Sequence, residues 1–191
     1  MDDDNPYMIT YESLLNDKEI IQKGGLFTKY SSKEIKYHLQ INGIVVLDLY
    51  HMYIYTQSDK SRVTHFDGFY TVMPIPSDIN FQLRDRSKPK NKNIKFERVE
   101  DYKAARVFVE KGMTHNIPSK MIQLFDKVSK YFSMYDIYVA GLEDEVHIAI
   151  HKGNLPKKVK NITPGKYQDL KNQMLKQIAF MQNLYDEITE Y

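Results

Sequence analysis

Two histidines four residues apart, His147 and His151 in the run VHIAIH, are the first pair in this chain able to hold a metal or pass a proton. In a strand both point to the same, less apolar side. At about 3.3 Å per residue their α-carbons stand about 13 Å apart, too far to share one ion without a bend. The spacing therefore reads as two exposed strand histidines, and it implies no metal and no cofactor. His38 and His51 fall on one face of a hairpin, on adjacent strands but not opposite each other, and a site there needs carboxylates from elsewhere. Asp48 is the carboxylate of interest. The hairpin register turns it toward an apolar face, opposite Tyr37, where burial raises a carboxyl pKa unless donors reach it. With no second acid or histidine beside it, a structural hydrogen bond is the plainer role.

The stretch RDRSKPKNKNIK, residues 84 to 95, gathers six cations and one acid in an exposed loop. Arg84, Arg86, Lys88, Lys90 and Lys92 form a candidate anion patch, which Lys157, Lys158 and Lys160 could extend. Near an acidic membrane surface each cation contributes on the order of 1 kcal/mol. The aromatic residues lie in strands, not interleaved with these lysines as a stacking groove requires, which argues against nucleic acid. The nine residues LDLYHMYIY, which hold three tyrosines, split their aromatics between two strand faces and build no single platform.

Composition narrows the classes further. The 191 residues carry 27 basic and 25 acidic side chains, a net +2, so bulk electrostatics selects no polyanion. The absence of cysteine removes disulfides, thiolate metal sites and cysteine nucleophiles. No glycine-rich phosphate loop, His-Glu-x-x-His or Gly-x-Ser-x-Gly occurs. The opening MDDDNPYMIT has acids where a secretory signal has cations, and no run of about 18 apolar residues follows.

The elements that must position these residues follow from periodicity. Thr10 caps a first helix whose stripe is Tyr11, Leu14, Leu15 and Ile21, and Gly24-Gly25 stops it. From Ile35 the period becomes two, and Asn42-Gly43 marks a two-residue turn that pairs Ile41 with Ile44, Leu39 with Val46, Tyr37 with Asp48 and Ile35 with Tyr50. A turn near Ser58 to Ser61 leads to a strand over 63–73 with a glycine irregularity at Gly68, ended by Pro74 and Pro76. Short strands follow at 94–99 and 106–110, then a helix from Pro118 with apolar residues at 117, 121, 124, 125, 128 and 132. A second hairpin joins strands at 135–141 and 145–151 around Glu143-Asp144. Thr163-Pro164 opens a last amphipathic helix with a stripe of Tyr167, Leu170, Met174, Ile178, Met181, Tyr185 and Ile188.

The pattern predicts an α+β protein: one domain over residues 1–162, built on a mostly antiparallel sheet, with a C-terminal helix over 163–191 packed on that domain or on a partner. The order of HFDGFYTVMP, YKAARVFVEKGMTHNIPSKMIQLFD and YDIYVAGLEDEVHIAIHKG resembles a bacterial family of domains of unknown function. Phe66, Gly68, Phe69, Phe108, Pro118, Ile148 and Ile150 carry the resemblance, which spans residues 14 to 153. It implies a cytosolic globular domain, often tethered to the inner membrane by hydrophobic helices, which this chain lacks, and it lends no reaction and no catalytic residue. The functional expectation is a noncatalytic interaction or scaffold domain in the cytoplasm or at the inner membrane face. Its last helix would contact an unknown protein partner or a second copy, and its deletion should leave the sheet folded. The alternatives are a small-molecule site or hydrolase around Asp48, and anion binding through residues 84–95.

Overall fold

The computed structural model describes residues 8–10, 21–27, 32–42, 46–84, 88–89, 93–103, 105–113, 117–132, 136–151 and 163–189. Nine strands form one sheet: β1 (Met8–Thr10), β2 (Ser32–Asn42), β3 (Val46–Gln57), β4 (Arg62–Met73), β5 (Phe81–Arg84), β6 (Phe96–Tyr102), β7 (Ala105–Glu110), β8 (Asp136–Leu142) and β9 (Glu145–His151). Their order across the sheet is β1-β2-β3-β4-β9-β8-β5-β7-β6, and every neighbouring pair is antiparallel. Among the described residues two full helices accompany the sheet in this α+β fold: α1 (Ser119–Tyr131), which links β7 to β8, and α2 (Pro164–Thr189).

The helix signals hold at the positions read from the sequence. Pro118 immediately precedes α1, and Met121, Leu124, Phe125 and Val128 are its buried stripe. For α2 the Lys166 N–H donates to Thr163 Oγ1 at 3.4 Å, so the threonine side chain supplies the N-terminal cap. Residues 21–23 are helical and end at Gly24-Gly25, where Gly25 takes φ 61°, a left-handed helix stop. Thr10, expected to cap that helix, is instead the last residue of β1 and pairs with Gln40.

The first hairpin forms in a different register. Asn42 pairs with Val46 and Ile41 with Leu47, a register other than the one a two-residue Asn42-Gly43 turn sets. Tyr50 consequently pairs with His38 and not Ile35, and Asp48 pairs with Gln40 and not Tyr37. A displacement by an odd number of residues exchanges the faces of one strand relative to the other. The pairings that β3 also makes with β4, Tyr50 to Tyr70 and Met52 to Gly68, place Tyr50, Met52 and Ile54 in one buried cluster, and that burial outweighs a local turn preference. Gly68 sits in regular pairing; the irregularity in this part of the sheet lies between Ile54 and Tyr55.

Strand β5 was not visible as a strand. Its four residues FQLR are all buried, but only Phe81 and Leu83 are apolar, and Gln82 and Arg84 occupy the other face. A strand this short with two buried polar side chains resembles the start of a polar loop.

The sheet is covered on both faces. On one, Phe69, Met73, Phe81, Leu83, Val107, Val139, Ile148 and Ile150 pack against α1 and against Ile178, Met181, Leu184, Tyr185 and Ile188 of α2. Fully burying one such side chain is worth roughly 1.5–3 kcal/mol. The C-terminal half of α2 is thus part of the domain core, and deleting 163–191 would strip that face instead of leaving the sheet intact. On the other face, Tyr50, Met52, Ile54, Phe66, Tyr70, Ala140 and Ala149 are covered by Ile21 and Leu26 of a strap formed by residues 21–27.

Candidate functional site

The strap crosses the sheet over a chain of polar side chains. Tyr70 from β4 and His147 from β9 stand two rows apart on the same face of neighbouring strands, because Tyr70 pairs with Ala149 and Val72 pairs with His147. The small Ala149 leaves room between them. The Tyr70 hydroxyl donates to His147 Nδ1 at 2.7 Å, and His147 Nε2–H donates to Glu145 Oε1 at 2.7 Å. The Glu145 carboxylate can only accept, so the Nε2–H of His147 faces it. Lys23 of the strap closes the chain at the surface, its Nζ 2.8 Å from the same Glu145 oxygen.

The environment fixes the charge state of each end. Burial pushes the Tyr70 hydroxyl well above its ordinary value of 10, and the negative charge of Glu145 adds to the effect, so the phenol stays protonated. The hydrogen bond from His147 lowers the Glu145 carboxyl from 4.5 to about 2; partial burial opposes this and Lys23 assists it. Phenol, imidazole, carboxylate and ammonium are thereby linked in order from the sheet interior to solvent.

A hydroxyl, an imidazole and a carboxylate in series are the parts of a nucleophile relay. Here the hydroxyl is sealed. A Cβ placed on Gly24 would lie 2.3 Å from Tyr70 Oη and 2.8 Å from His147 Nδ1, so the strap backbone rests directly on the pair and only glycine fits. Tyr70 and His147 have no solvent exposure. No reacting atom can approach the phenol while the strap is seated. The arrangement works as a clamp, and three further bonds secure it: Arg84 donates to the Leu26 carbonyl at 2.8 Å and to Gln82 Oε1 at 2.9 Å, and Gln82 donates to the Gly25 carbonyl at 3.4 Å.

The residues singled out from the sequence are dispersed by this fold. His147 is buried and is not the exposed strand histidine expected. His151 is half-buried, its Nδ1 is 3.8 Å from Asp136 Oδ2, and its ring lies against Phe66. No group of three metal-ligating side chains occurs among the described residues. His38 pairs with Tyr50 and His51 with Tyr37, so the two histidines stand in neighbouring rows of the first hairpin. In the anion patch, Arg84 is only 3% exposed and turns inward to hold the strap, so it leaves the patch; Lys88 is exposed, and Arg86, Lys90 and Lys92 lie outside the described residues. Lys23, Gly24, Tyr70, Gln82 and Glu145 were missed. The available signal was Gly-Gly directly after an apolar helical stripe, which marks a close backbone approach, beside the Ala149 gap in an otherwise bulky strand.

The opposite side of the molecule carries an open groove of about 540 Å³ between α1 and α2. Lys127, Lys130 and Tyr131 of α1 and Phe180, Asn183, Leu184 and Glu187 of α2 line it. Spacings of three, four and seven residues put each set on one helix face. Tyr131 and Phe180 stack across the gap with ring centres 3.8 Å apart and planes at 14°, and the Tyr131 hydroxyl donates to the Lys176 carbonyl at 3.4 Å. Lys127 and Glu187 are ion-paired across the far end.

Comparison of the chain with protein-family models, with curated proteins and with solved structures finds no match to any of them. The residues behind the family resemblance, Phe66, Phe69, Phe108, Ile148 and Ile150, are all buried in this fold, so they describe a core and not a site. Among the described residues no helix is long and apolar enough to cross a membrane.

Proposed function

We propose that this chain is a noncatalytic interaction domain: a rigid sheet, clamped on one face by its N-terminal strap, that presents the helical layer on the other face to a protein partner or a second copy of itself. The observation that carries the reading is the division of α2. Its 26 residues span about 39 Å, and among its described side chains the buried ones begin at Ile178. Before that point residues 164–169, 172, 173 and 176 are exposed, and Tyr167 is 58% exposed. Helices in proteins are held mostly by packing of an amphipathic face, and among the described side chains the first half of this one, up to Gln177, buries none. The sealed hydroxyl leaves no approach to Tyr70 while the strap is seated, which favours a clamp over a reaction there.

The test uses the full chain with Tyr167→Glu, a change confined to the exposed half. Quantitative affinity purification from the native cell should recover a partner with the wild type and about tenfold less with the variant, at unchanged thermal stability. For self-association, light scattering on purified protein should show a dimer that the variant loses. An unchanged monomer together with an unchanged set of captured proteins removes the role of this helix.

A further inference from the structure

We propose that Tyr70 is a one-electron redox site: an outer-sphere oxidant takes an electron from its ring while the phenolic proton moves to His147, leaving a neutral phenoxyl radical under the strap. The inference goes beyond the interaction reading and does not depend on it. A nucleophile must touch the atom it attacks, and the seated strap forbids that contact. An electron crosses a packed interior without contact, so the seal removes the first kind of chemistry and leaves the second. The chain contains neither tryptophan nor cysteine, which makes tyrosine the side chain that gives up an electron most readily.

A phenol that loses an electron becomes a strong acid, and a buried one is oxidised readily only where an acceptor already stands on its proton. Tyr70 Oη is 2.7 Å from His147 Nδ1, and neither side chain reaches solvent. With the Nε2–H facing Glu145, Nδ1 presents its lone pair to the phenol. The proton therefore moves along a hydrogen bond that is already made. Burial, which pushes the Tyr70 hydroxyl well above its ordinary value, keeps the phenol protonated until the electron leaves. The step turns His147 into an imidazolium, which by itself is costly in the interior. Glu145 Oε1 stands 2.7 Å from Nε2, so the new charge forms inside an ion pair. The balance is complete: phenol, imidazole and carboxylate become phenoxyl radical, imidazolium and carboxylate, the oxidant gains the electron, and no atom leaves the protein.

Aromatic rings lead from this site toward the surface. Phe27 of the strap has its ring centre 6.2 Å from Tyr70 and 4.8 Å from Phe66, and Phe66 lies 5.5 Å from the half-buried His151. Phe27 is also 6.4 Å from the half-buried Tyr138. The strap that carries Phe27 keeps a radical on Tyr70 away from water and from the phenoxyl group of a second copy, with which it would couple. Tyr102 offers the instructive contrast. Its hydroxyl donates to Asp126, but a carboxylate is a far weaker base than an imidazole, and Asp126 already accepts from Lys103.

The test mixes the full chain with hexachloroiridate(IV), a one-electron outer-sphere oxidant too bulky to pass the strap, and follows the product by rapid freezing and electron paramagnetic resonance. A tyrosyl radical should form, and Tyr70→Phe, which keeps the ring and its packing, should shorten its lifetime about tenfold or more. His147→Gln, which cannot take the proton, should slow formation of the long-lived signal by a similar factor, and heavy water should slow it in the wild type. Tyr102→Phe should change neither yield nor lifetime. A purely structural clamp predicts no such spectroscopic difference between variants that remain folded. The proposal is overturned if the wild type gives no radical, if Tyr70→Phe leaves the lifetime unchanged, or if Tyr102→Phe removes the signal. Should His147→Gln fail to fold, Tyr70→Phe and the isotope effect in the wild type decide the matter, and oxidation at an equal rate in heavy water overturns the coupling to the proton.

Discussion

The two faces of the sheet are buried by different means. On the helical face, α1 and α2 cover Phe81, Leu83, Val107, Val139, Ile148 and Ile150 with aliphatic and aromatic side chains throughout. On the strap face a few residues cover a smaller apolar cluster, and the contact is threaded with Tyr70, His147, Glu145, Gln82 and Arg84, each tied to a neighbour or to the strap backbone. A hydrocarbon interface tolerates sliding, because dispersion and hydrophobic burial have no preferred direction. A polar interface does not, since a displaced buried donor or acceptor costs about 1–3 kcal/mol. The helices therefore supply most of the cohesion, while the strap face supplies registration: Gly24 has one place to sit.

Breaking the helical face should cost the most. Leu124→Ala removes a fully buried side chain from that core and should destabilise the domain by about 3 kcal/mol in urea unfolding. A loss below about 1 kcal/mol would mean that α1 is not integral to the core. Next is Gly24→Val, whose added carbons meet Tyr70 Oη and His147; a cost of about 2 kcal/mol is expected. Hydrogen exchange should then rise in residues 21–27 and stay low in α1. Uniform loss of protection across both faces would abolish the distinction between them.

The third prediction concerns acid. Because the Glu145 carboxyl is lowered from 4.5 to about 2, its stabilisation is fully present above about pH 4.5 and is lost as the pH falls through about 2. Discounted for its partial exposure, the effect is on the order of 1–2 kcal/mol. Urea midpoints of wild type and Glu145→Gln should thus converge on going from about pH 6 to about pH 3. A constant gap would show that the carboxylate charge does not hold the strap. The smallest effect belongs to Lys23→Ala: its side chain is 59% exposed, so its ion pair with Glu145 should contribute no more than about 0.5 kcal/mol, and less in high salt. A cost above about 1 kcal/mol would make the lysine a structural member of the clamp.

Much of the fold was legible in the sequence because its signals are local. The stripe from Met121 to Phe132, the proline before α1, the threonine cap of α2 and the alternation of Val146, Ile148 and Ile150 each rest on a period or a capping group within one element. The misreadings share the opposite property. The Asn42-Gly43 turn is a sound local preference that lost to the pairing of β3 with β4, and the loss moved Asp48 opposite Gln40. His147 was assigned to solvent because the side it shares with Ala149 and His151 is the less apolar one, and nothing near it in the chain reports that residues 21–27 return to cover that side. Arg84 looked like the first cation of a loop because the carbonyl it binds lies 58 residues earlier.

By itself, then, the sequence determined the class of fold, the helices and their buried stripes, the second hairpin and the exclusion of cysteine chemistry, since composition and short-range periodicity suffice for these. Only the tertiary structure decided which polar residues are interior, which residues face each other in the first hairpin, and that the C-terminal half of the last helix belongs to the core. Those outcomes depend on contacts between segments far apart in the chain, where burial of a whole face outweighs the preference of any single turn.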